Sequence, residues 1–202
     1  PRLKLNPPRW CLAEHPDEMV AYADGKLGPQ ASMASREWTA LYSQMLRDVI
    51  GHMEKSDYGN RIFGYHPSGG GSSEWFWWGH GKGPIDFSPA AVARWREWLT
   101  TRYGDDQALA KAWGNPQARV ATATPPAARA RDHGKGAFLR LTPGERPWAD
   151  YREFLSDTTS GSIAHACAVA KEACGNRKIV GVFYGYSMYC NNILGFRGLH
   201  RV

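Results

Sequence analysis

No stretch of this 202-residue sequence approaches the roughly 18 apolar residues that a membrane-spanning helix requires, and none has the layout of a secretory leader, so no membrane contact is expected. Cysteine is scarce. The four present, at 11, 167, 174 and 190, form no C-x-x-C and no Cys/His pairing at zinc spacing, which excludes a structural metal. Cys167 and Cys174 fall on one predicted helix about two turns apart, roughly 10 Å along its axis and beyond disulfide reach. They read as buried thiols, which leans toward a reducing, cytoplasmic compartment. Neither G-x-x-x-x-G-K-[ST] nor G-x-G-x-x-G occurs, so the glycines at 69 to 71 are not a nucleotide-phosphate loop and no cofactor is implied. There is no short-period repeat, no initiator methionine and no capped or polar ending. The expectation is a fragment, residues 1–202, of one longer domain.

What is present fits a globular α/β unit. Hydrophobic residues make up 43% and charged residues 22%, enough to build a core. The formal net charge of +6 and nine tryptophans raise the question of nucleic acid. The distribution answers it: between Arg119 and Arg146 stand six lysines and arginines against two acids, in a Pro-, Gly- and Ala-rich stretch without apolar period. That stretch reads as a long solvated loop, with a substrate-side lid as the alternative, and no nucleic-acid partner is expected.

Periodicity gives the elements. Leu3 to Asn6 reads as a strand closed by Pro7 and Pro8. Asp24-Gly25 is a hairpin signal within residues 15–35. Trp38, Leu41, Tyr42, Met45, Leu46, Val49, Ile50 and Met53 recur at helical spacing behind Ser35 as N-cap. A strand over 60–66 precedes the glycines. Ser88-Pro89 opens a second helix carrying Val92, Trp95, Leu99 and Tyr103, and Asp105 to Trp113 forms a short continuation. A third helix runs from about Asp150 to Ala173, stopped by Gly175-Asn176, and a strand of buried type covers 177–186. Alternating strands and helices imply parallel strands joined by helical crossovers.

In such folds functional groups gather beyond the carboxyl ends of the strands. Glu74 lies in such a loop, with Trp10 after the first strand, His66 at the end of the second, Trp75, Trp77 and Trp78 beside it, and Tyr184, Tyr186 and Tyr189 at or after the last. A carboxylic acid against an aromatic wall can carry a proton near neutral pH, and aromatic faces suit the apolar face of a pyranose. A metal role for His66 is remote, and Glu14, Asp17 and Glu18 read as a solvated acidic patch.

The stretches "PPRW", "HPDEMVAYADGK", "SREWTALYSQMLRDVIGHME", "YGNRIFGYHPSGGGSSEW" and "FSPAAVARWREWLTTRYGDDQALAKAWG" resemble the central part of glycoside hydrolase family 42 β-galactosidases, of clan A, over residues 1–114 and more loosely 148–186. The resemblance implies a (β/α)8 TIM barrel of which this chain supplies about strands 3 to 5, a retaining hydrolysis of carbohydrate, and Glu74 as its acid/base. It places Ser73 where that family has the Asn that binds the sugar's 2-hydroxyl, which weakens a galactoside assignment more than a hydrolase one. Candidate substrate-binding residues are Trp10, His66, Ser73, Trp75, Trp78, Tyr184 and Tyr186. The family's nucleophile, a strand-seven glutamate, has no counterpart among the residues after the last strand, so the chain alone is expected to be inactive. The alternative is a non-catalytic carbohydrate-binding or scaffold protein derived from such a barrel. Three parallel strands leave two open edges, for the remainder of the barrel or for a second copy in a homo-oligomer.

Overall fold

The structure is a computed structural model that describes residues 2–4, 9–69, 74, 75, 77, 86–126 and 143–184. In chain order it contains β1 (Arg2–Lys4), α1 (Arg9–Glu14), β2 (Met19–Ala21), β3 (Leu27–Ala31), α2 (Arg36–Glu54), β4 (Gly64–Ser68), α3 (Pro89–Tyr103), α4 (Asp106–Trp113), α5 (Arg146–Ala173) and β5 (Ile179–Val180). Strands β1, β4 and β5 form a parallel sheet with β4 in the middle, pairing Arg2 with His66 on one side and Gly64 with Ile179 on the other. The sheet is open. β2 and β3 make a separate antiparallel hairpin, turned at Asp24-Gly25 with Gly25 at φ 79°.

Local chemistry sets these boundaries. The Ser35 side chain accepts from Trp38 N at 2.8 Å, Ser88 from Ala91 N at 3.1 Å and Asp105 from Ala108 N at 2.8 Å, so each cap satisfies a first-turn amide that has no partner in its own helix. Gly114 and Gly175 then end α4 and α5 in the left-handed region. Several boundaries differ from expectation; β5, expected over 177–186, is described as a strand at Ile179–Val180. The first strand is seen at Arg2–Lys4. The second begins at Gly64 rather than at 60, because Gly59–Arg61 closes a 3-10 turn whose carbonyl at Gly59, with that of Ile62, is held by Lys178 Nζ at 3.0 and 2.7 Å. The third helix starts at Arg146, where Pro147 sits in a first turn that needs no amide from it.

Two apolar clusters hold the elements together. In the first, α2 and α5 cover one face of the sheet: Trp38, Tyr42, Leu46 and Ile50 meet Ala166, Val169, Ala170 and Cys174 over Tyr65 and Trp75. Burial of each large apolar side chain contributes about 1.5–3 kcal/mol. The second gathers α3, α4 and the first half of α5 around Trp95, which packs against Trp98, Tyr151 and Phe154.

Two buried carboxylates lock these packings. Asp150 is fully buried and accepts from Tyr103 Oη, from Trp113 Nε1 at 2.8 Å and from Arg146 Nε at 2.8 Å, tying α3 and α4 to α5. Asp86, also fully buried, accepts from Ala21 N at 3.0 Å and Ser88 N at 2.9 Å, joining the hairpin to the start of α3. Burial pushes the Asp86 carboxyl above the usual carboxylate range, against the pull of its hydrogen bonds to Ser32, Ala21 and Ser88.

Candidate functional site

The site is built where the ladder between β4 and β5 is interrupted. Ile179 N donates to Phe63 O at 3.0 Å and Gly181 N to Tyr65 O at 3.2 Å, so alternate residues of β4 face β5. Pro67 is the next in that series. It has no N–H to offer, and its carbonyl accepts from the Trp75 indole Nε1 at 3.2 Å instead. The chain leaves the sheet after Ser68 and re-enters beside β5 at Glu74: Glu74 and Phe183 form a parallel bridge, and Trp75 N donates to Phe183 O at 3.2 Å. The acid is therefore bonded into the sheet at its carboxyl end.

Gly69 makes this return possible. A Cβ there would lie 2.8 Å from Glu74 O, from Trp75 Cα and from Trp75 Cδ2, so only glycine lets the returning segment lie directly on the departing one.

Side-chain alternation divides the residues between two faces. Val180, Val182 and Tyr184 pack with Tyr65 and Trp75 against α2 and α5. Ile179 and Phe183 have the opposite parity and are 68% and 42% exposed. Bridge partners share a face, so Glu74 stands with Phe183, away from the helices. His66 joins them, its ring centroid 4.5 Å from that of Phe183 at an interplanar angle of 58°. The Ser68 hydroxyl donates to the His66 carbonyl and takes His66 Nδ1 as its second partner, both at 3.3 Å, and the ring's Nε2 is buried. Glu74, His66 and Phe183 thus form one half-buried group at the carboxyl end of the central strand.

Several expected site residues are placed elsewhere. Trp75 is 2% exposed, edge-on to Tyr42 in the helix-side core, and this position corrects the reading of it as a sugar platform: its neighbour Glu74 takes the open face, so Trp75 must take the other. Tyr184 is corrected for the same reason of parity. Burial raises its hydroxyl to about 12, and that oxygen has no hydrogen-bond partner among the described residues. Trp10 is 50% exposed on α1, edge-on to His15, whose Nδ1 lies 2.9 Å from Glu37 Oε1. Trp77 is buried, its indole donating to Leu155 O and Thr159 Oγ1. Ser73, Trp78, Tyr186 and Tyr189 lie outside the described residues, as does most of the basic stretch.

Sequence reasoning missed Phe183, because the last strand is apolar on both faces and its parity cannot be read from alternation alone. Among the described residues no group of three His, Cys, Asp or Glu side chains is arranged to hold a metal, and no helix is long and apolar enough to cross a membrane.

No protein-family model and no curated protein matches the sequence. Solved structures do match. A β-galactosidase from the haloarchaeon Halorubrum lacusprofundi superposes with a TM-score of 0.66 at 19% identity over 89% of this chain and 26% of its own. One from Marinomonas ef1 gives 0.65 at 16% identity, over 87% of this chain and 25% of its own. The catalytic domain of a β-amylase from Paenibacillus polymyxa gives 0.61 at 16%, over 88% and 45%. The chain therefore shares its fold with part of the TIM barrels of these glycosidases, and it spans about a quarter of the length of the galactosidases it matches.

Proposed function

We propose that these residues are the acid/base-bearing part of a retaining glycosidase of β-galactosidase type, with Glu74 as the proton donor. One observation carries the reading: Glu74 is fixed at the carboxyl end of the central parallel strand, on the face away from the helices, in a fold shared with β-galactosidase barrels. In such a barrel that face is the interior and that end is the catalytic rim. There a glutamic acid gives its proton to the glycosidic oxygen as a second carboxylate attacks the anomeric carbon. It then takes a proton from the water that releases the sugar. Trp10, exposed on α1, offers an aromatic ring to a sugar. The attacking carboxylate has to come from outside these 202 residues, so the chain by itself is expected to show no turnover.

The test is Glu74→Gln in the complete gene product. General acid/base catalysis contributes about 10²–10⁴-fold, so hydrolysis of an unactivated β-galactoside should fall by that order, and hydrolysis of a nitrophenyl glycoside, whose leaving group needs no proton, by much less. Equal turnover by wild type and E74Q rejects the role. A second reading, a carbohydrate-binding protein without catalysis, draws on Ser73 in place of the family's Asn. Sugar binding by calorimetry without hydrolysis of any aryl glycoside by the complete protein would favour it.

A further inference from the structure

Resting on that reading of Glu74, we infer that Trp77 and Thr159 are positioning residues for the proton donor: they fix the direction in which the acid-bearing segment leaves the sheet. Trp75 and Trp77 follow the acid closely and enter different cores, Trp75 the one shared by α2 and α5, Trp77 the one gathered around Trp95. Both are buried. Trp75 is bonded to the sheet, through its N–H on Phe183 O and its indole on Pro67 O. Trp77 is bonded to α5, its indole Nε1 donating to Thr159 Oγ1 at 3.0 Å and to Leu155 O at 3.2 Å. One attachment sets where the segment lies, and a second on a different element stops it from pivoting about the first.

Packing alone does not ask for these bonds. The indole N–H groups of Trp38 and Trp95, one in each cluster and both buried, have no hydrogen-bond partner among the described residues, so both cores accept a tryptophan for its volume. The two tryptophans behind the acid are held in direction as well. Thr159 is suited to this, because it is buried and its own proton goes to Leu155 O at 2.8 Å, which leaves its oxygen as an acceptor for Trp77. α5 grips the same connection farther along: the Tyr151 hydroxyl donates to Asp86 O and accepts from Asp86 N, both at 2.9 Å. Tyr151, Leu155 and Thr159 stand at four-residue steps on one face of α5, so that face holds the chain on its way from Glu74 to α3.

The test measures kcat/KM of the complete gene product for an unactivated β-galactoside and for a nitrophenyl β-galactoside. Cleavage of the first needs the proton donor and cleavage of the second does not, so their ratio reads the placement of the acid and is blind to a loss of folded protein. Freed to pivot by about half an ångström, the acid should lower that ratio about tenfold in W77F, at about a hundredfold per ångström. T159V leaves the indole its bond to Leu155 O and should lower the ratio about threefold, and T159S should restore it. W95F, which trims a buried ring in the same cluster, should lower the urea midpoint and leave the ratio unchanged. A wild-type ratio in both W77F and T159V, with the ratio collapsed in E74Q, would overturn this inference and leave the Glu74 reading standing, as would a fall in W95F equal to that in W77F. A wild-type ratio in E74Q, or hydrolysis of neither substrate by the wild type, would remove that reading and this inference with it.

Discussion

Replacing Gly69 by alanine puts a methyl group 2.8 Å from three atoms where ordinary contact begins at 3.4 Å, so the segment carrying Glu74 must retreat by about half an ångström. Two of the three are backbone atoms, and that backbone is tied down by Trp75 N on Phe183 O and by the Trp75 indole on Pro67 O. Relief by side-chain rotation is closed to it. Overpacking of this kind costs about 1–3 kcal/mol, offset by about 0.4–1 kcal/mol from the stiffer unfolded chain, for a net loss near 1–2 kcal/mol. The same substitution at Gly51 in α2 or Gly161 in α5 meets nothing within 4 Å, and there alanine should stabilise by about 0.5–1 kcal/mol. Urea unfolding of the three variants should therefore shift midpoints in opposite directions. Displacement of the acid by half an ångström should also lower turnover by the complete protein about tenfold, since an ångström of misplacement costs about a hundredfold. A G69A midpoint that rises with the other two, or turnover that stays at the wild-type rate, would refute the reasoning.

Asp150→Ala strands Arg146, Tyr103 and Trp113 around an empty acceptor, and should cost about 3–5 kcal/mol in urea unfolding; a loss below 1 kcal/mol would show the network to be incidental. Tyr184→Phe removes a buried hydroxyl with no partner among the described residues and should leave thermal stability unchanged or higher, with a fall of more than about 1 kcal/mol counting against that placement. Asp86 folds preferentially in its protonated form. Its contribution to stability is full below the ordinary carboxylate value of 3.8 and declines as pH rises through the elevated folded value. Asp86→Asn should therefore gain on wild type as pH climbs from 3.8, measured as a urea midpoint difference; a difference constant with pH would contradict it.

Sequence patterns reached the helices and their caps because those signals are local. Ser35 and Ser88 meet amides three residues away, and the stripe from Trp38 to Ile50 is set by a single helical period. The parity of the last strand was not legible in the same way. "KIVGVFYGY" is apolar on both faces, so period-two alternation cannot say which face turns to the helices, and Tyr184 reads as a rim residue. Pairing with a strand more than a hundred residues earlier decides it, through Gly64 on Ile179 and Glu74 on Phe183. Trp75 is a similar case: its place in the core follows only once Glu74 is assigned the open face. The order of elements was legible: from β1 to β5 it is that of the sequence reading, with the hairpin signalled at Asp24-Gly25 and the short α1 added.

The break at Pro67 separates how the acid is held from how it is delivered. Both margins of the excursion are moored, Ser68 by Tyr42 and Trp75 by Phe183, so residues can be inserted or deleted between them while Glu74 keeps its bearing on the sheet. On the role proposed for Glu74, the two moorings would hold the proton donor to the sheet independently of the length of chain between them.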